Sequence, residues 1–91
     1  MSINIVARAT SGNSRKGSLI NMTPSRIASV LGFEPNCEDD DDKVLFSWGF
    51  SANHRECGIW DYKASHERGV FSFDGPAEIM TELFGAENVT R

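Results

Sequence analysis

A chain of 91 residues holds one domain and leaves no room for a second. Its apolar share of 40% and charged share of 24% are those of a globular protein, which excludes a chain disordered throughout. The net charge of -4 is unevenly placed: no acid precedes Glu34, while residues 34–91 carry all 13 acids, and an acidic body disfavours general binding to nucleic acid.

In chain order, residues 3–9 are rich in β-branched side chains and read as a short strand. Thr10 to Ser18 reads as a polar loop carrying Arg15 and Lys16, and Leu19 to Met22 as a return strand. Thr23-Pro24 announces a helix, with Thr23 as N-cap and Pro24 in the first turn, and Gly32 is placed to stop it. Ile27, Val30 and Leu31 share one face of that helix. An acidic connection from Glu34 to Asp42 follows, with Asp39 to Lys43 expected to be exposed because successive acids repel one another.

The period then changes to two. Val44, Phe46, Trp48 and Phe50 alternate with Leu45, Ser47 and Gly49, which predicts a strand. Ser51 to Glu56 is turn-like, and Cys57 to Lys63 and Val70 to Phe73 read as two further strands. Pro76 opens a second helix that ends before Gly85, and the tail to Arg91 is expected to fray. The fold class is therefore α+β. Residues 23–85 form an α-β-β-β-α core: a three-stranded antiparallel meander with two helices on one face. Residues 1–22 are a basic segment able to extend the sheet as an N-terminal hairpin.

Seven of the nine aromatic residues fall in the three strands. With Trp60 and Tyr62 set beside Phe46, Trp48, Phe50, Phe71 and Phe73, one face becomes an aromatic core. The other face then carries Ser47, Gly49, Ile59, Asp61, Lys63 and Ser72. Asp61 and Lys63, two apart on one strand, point the same way. Ser47, Asp61, Lys63 and Ser72 are the candidate ligand or interface residues, set against a solvated strand pair of little consequence.

Arg15 and Lys16 lie in a loop with an anion-binding look. Lys16 precedes Gly17, however, which excludes the phosphate loop of nucleoside triphosphatases. Cys37, His54, Cys57 and His66 fit no zinc spacing, and Glu38 to Asp42 lacks the calcium-loop pattern, so neither a metal nor a cofactor is expected. No nucleophile motif is present, so no catalytic residue is assigned. No apolar run is long enough to span a bilayer, the start has no secretory pattern, and two cysteines make no disulfide framework. These features lead to the expectation of a reduced, cytosolic protein.

From Thr23 to Gly85 the order of features resembles small proteins of tailed bacteriophages that have no established activity. The resembling residues are Leu31-Gly32, Lys43-Val44, Trp48-Gly49-Phe50, Cys57-Gly58-Ile59-Trp60-Asp61-Tyr62-Lys63, Ser72, Gly75-Pro76 and Leu83-Phe84-Gly85. The resemblance implies a host-cytoplasm setting and carries over no site residue. Together with the residues above, it leads to the expectation of a non-catalytic, homo-oligomeric accessory protein that counters host defence. It would sequester a nucleotide-like signal or cover a host protein. The alternatives are an interaction module without a small ligand and a small hydrolase or nuclease.

Overall fold

The structure, a computed structural model, describes residues 3–8, 14–36, 46–62 and 65–91. Cys37, the acidic stretch Glu38 to Asp42, Lys43, Val44, Leu45 and Lys63 lie outside the described residues. Among the described residues six strands form one antiparallel sheet: β1 Ile5–Ala7, β2 Gly17–Leu19, β3 Ser47–Ala52, β4 Arg55–Trp60, β5 Phe71–Asp74 and β6 Val89–Thr90, in the order β1-β3-β4-β5-β2-β6. Two helices, α1 Pro24–Leu31 and α2 Ala77–Phe84, complete the α+β fold. Among the described residues no helix is long and apolar enough to cross a membrane.

Helix α1 forms where its local signals place it. The Thr23 hydroxyl accepts from the Arg26 N–H at 3.1 Å, Pro24 sits in the first turn, and Gly32 ends the helix in the left-handed region at φ 91°. Both the cap and the stop satisfy backbone groups that a helix end leaves unpaired. Helix α2 begins one residue after Pro76, and the Gly85 N–H returns to the Thr81 carbonyl.

The N-terminal hairpin does not form. β1 pairs with β3, while β2 pairs with β5 and β6, so the first 22 residues supply strands on both sides of the meander. β2 also starts earlier than expected, at Gly17. Gly17 is required there because a Cβ would meet the Thr90 carbonyl and, at 2.9 Å, the Phe73 ring. Nor is the tail frayed. Asn88 is buried, its side-chain amide donates to the Phe84 carbonyl at 2.9 Å, and its own carbonyl accepts from the Ile20 N–H.

One buried cluster unites Ile27 and Leu31 of α1 with Ile79, Met80 and Phe84 of α2 and the aromatic sheet face of Trp48, Phe50, Phe71 and Phe73. Trp48 is fully buried, packs edge-on to Phe71 at 6.0 Å, and donates its indole N–H to the Phe33 carbonyl at 3.1 Å. Such rings stabilise the fold both by area and by ring geometry.

The two-residue turn Asn53-His54 decides which β4 residues join this face. Both residues have positive φ, 50° and 69°, and they set Ala52 opposite Arg55. Trp48 therefore faces Ile59, Phe50 faces Cys57, and Ser47 faces Trp60. Directly opposed residues share a face, so β4 is inverted relative to the sequence expectation. Ile59 is a core residue, and Trp60 belongs to the polar face.

Cys57, on the core side, is fully buried. Burial first, and the nearby Asp74 carboxylate second, push its thiol up to about 11. The thiolate is the reactive form, so Cys57 should resist alkylation at pH 8 in the native protein and label readily once denatured. Mass spectrometry of the tryptic peptide spanning residues 56–63 reads the result, and rapid native labelling would contradict the burial.

Candidate functional site

The second sheet face is built from small residues around one large ring. Following the register from strand to strand, Ser47 opposes Trp60, Trp60 opposes Ser72, Ser72 opposes Ser18, and Ser18 opposes Thr90. Five residues from β3, β4, β5, β2 and β6 thus form one row across the sheet. The adjacent row contains Gly49, Gly58 and Asp74, with no side chain at two of its positions. Trp60 therefore stands between two serines and beside a pair of glycines, half-buried rather than enclosed.

Hydrogen bonding separates the two tryptophans. Trp48 spends its indole N–H on Phe33. Among the described residues nothing accepts from the Trp60 indole N–H. A Trp N–H that finds no acceptor among the described residues is left to water or to something bound. Ser18, Ser47 and Ser72 are themselves buried, at 6%, 7% and 9% exposure, so the half-buried Trp60 ring is the more accessible part of this row.

The charged residues of the N-terminal segment reach the same face. The Arg15 guanidinium donates to the Ser18 hydroxyl, and Lys16 pairs with Asp74 at 3.7 Å. The Arg15–Lys16 pair and the serine face, separate candidates in the sequence, converge because β2 lies next to β5.

Asp61 does not join them. It is fully buried on the core side, where one carboxylate oxygen accepts the Phe46 N–H at 2.7 Å and the other meets His66 Nδ1 at 2.6 Å. The His66 ring lies edge-on to Phe46 at 5.0 Å. Asp61 thus ties the start of β3 to the 3-10 turn Ser65–Arg68. Of the four candidate residues of the polar face, Ser47 and Ser72 share it on either side of Trp60, Asp61 is turned away, and Lys63 lies outside the described residues. The residues missing from that expectation are Trp60, Ser18 and Thr90. The turn at Asn53-His54 was the available signal, since a two-residue connection reverses the parity between β3 and β4.

Elsewhere, a groove of about 710 Å³ runs along α1 between Ser25, Ala28, Gly32, Phe33 and Phe46. Among the described residues no three metal-binding side chains converge. No family model, curated protein or solved structure matches the chain.

Proposed function

We propose that this chain is a non-catalytic binding protein that captures a small nucleotide-like signal on the sheet face centred on Trp60. The observation that carries the reading is the half-buried Trp60 ring, set between Ser47 and Ser72, whose indole N–H has no acceptor among the described residues. A flat π-surface with donors at its rim suits a planar heterocycle, which stacks and hydrogen-bonds at once. The resemblance to tailed-phage proteins supplies the setting, a host cytoplasm in which sequestering such a signal would blunt a defence. A second reading, a host protein laid over the same face, is favoured by Val6. This residue is 52% exposed and lies opposite Ser51, on the same side as Trp60.

Trp60→Ala separates these readings from a purely structural role for the ring. A half-buried ring contributes less than a core one, so the variant should stay folded at a cost of about 1 to 2 kcal/mol. A nucleotide at a hundredfold its dissociation constant stabilises a folded protein by about 2.7 kcal/mol, or roughly 10 to 20 °C in a domain of this size. The wild type should show such a shift with a member of a nucleotide panel, and Trp60→Ala should lose it. An equal shift in both proteins would remove Trp60 from the site. No shift in either, with a host protein retained by wild type and released by Trp60→Ala, would establish the second reading.

A further inference from the structure

We infer that the ligand of this face is a nucleoside phosphate, with its base on Trp60 and its phosphate at the Arg15 guanidinium. This rests on the binding role proposed for the Trp60 face and adds the phosphate and the residue that takes it.

Charge placement points to an anion. The protein is acidic overall at -4, and among the described residues Arg15, like the other arginines, has no carboxylate within ion-pair distance, but Arg15 is the one set beside the Trp60 row. Among the described residues it donates to the neutral hydroxyl of Ser18. Lys16 differs: it is paired with Asp74, and that pairing offsets the acid on this face that would otherwise repel a phosphate. Arg15 is therefore a cation held in place by a hydroxyl with most of its planar donor fork unused, the group best suited to oxyanions.

Geometry sets the distance between the two ends. Ser18 lies two strands from Trp60, across Ser72, in one continuous register. Two strand spacings amount to roughly 10 Å. A base stacked on Trp60 would place its ribose over Ser72 and its phosphate toward Ser18, where the guanidinium sits. A bare heterocycle would leave Arg15 unused, and free phosphate would leave Trp60 unused.

The test compares the four nucleoside 5′-monophosphates, the matching nucleosides and inorganic phosphate by calorimetry. The proteins are wild type, Arg15→Gln and Trp60→Ala. In the wild type, at least one monophosphate should bind tenfold or more tightly than its nucleoside. Arg15→Gln should erase that difference while leaving nucleoside affinity unchanged, and Trp60→Ala should weaken nucleoside and nucleotide alike. Equal affinity for nucleoside and nucleotide in the wild type would overturn the phosphate assignment and leave the Trp60 site standing, as would equal losses of both in Arg15→Gln. Absence of binding by every probe, with sedimentation showing two copies joined through this face, would overturn the nucleotide class and the binding role together.

Discussion

Trp48→Ala should all but unfold the protein. The side chain has no exposed surface, packs against Phe46 and Phe71, and uses its indole N–H on the Phe33 carbonyl. Truncating a core ring of this size costs about 3 to 5 kcal/mol, because the neighbours collapse only partly into the space left behind. A domain of this length has on the order of 5 to 14 kcal/mol in total, so the melting temperature should fall by roughly 15 °C or more. Trp48→Phe keeps most of the packing and loses the N–H, and should fall between the variant and the wild type. The contrast with Trp60→Ala distinguishes the two faces: the same substitution should be severe at one tryptophan and mild at the other. Thermal melts followed by circular dichroism measure both, and a Trp48→Ala protein within about 1 kcal/mol of wild type would contradict the core assignment.

The second large effect is expected at Asp61. Removing its carboxylate leaves the Phe46 N–H without its acceptor and releases His66 from a 2.6 Å contact. Breaking a buried pair by deleting one partner costs more than the pair itself contributes, and about 3 kcal/mol is expected for Asp61→Ala. Asp61→Asn keeps an acceptor for Phe46 and should cost about half as much. Amide hydrogen exchange at Phe46 should accelerate in Asp61→Ala and much less in Asp61→Asn, which retains the acceptor. Because Asp61 lies on the core side, Asp61→Asn should bind ligand as well as wild type at a temperature where both are folded. Loss of binding without loss of stability would return Asp61 to the site.

Much of the fold is legible where the determining interactions are local. Thr23, Pro24 and Gly32 bracket α1 by side-chain capping and backbone conformation alone, and the structure keeps those bounds. The alternation around Trp48 likewise marks a strand and its aromatic side, although Ser47 and Gly49 on the other side are buried as well. What alternation cannot convey is how one strand's parity matches that of the next. That depends on whether the connecting turn holds an even or an odd number of residues, and Asn53-His54 lacks the glycine that makes a two-residue hairpin easy to read. Trp60 and Asp61 consequently exchange faces relative to the sequence expectation. Ser47 and Ser72 are placed correctly because each alternates with phenylalanine or tryptophan within its own strand. The path of β2 between β5 and β6 is long-range and left no local trace, which is why Arg15 reads as a loop residue in isolation.

The most direct test of the Trp60 face uses the two indole N–H groups as internal reporters. In a nitrogen-15 correlation spectrum Trp48 and Trp60 give one side-chain resonance each, assigned with Trp60→Phe. The Trp48 proton, bonded to Phe33 inside the core, should exchange slowly with water, while the Trp60 proton should exchange fast in the free protein. On titration with the best-binding nucleotide, the Trp60 resonance should move or broaden to saturation and become protected, with the Trp48 resonance unchanged. A Trp60 resonance that stays in place and keeps exchanging at saturating nucleotide, while signals elsewhere in the protein shift, would contradict the account.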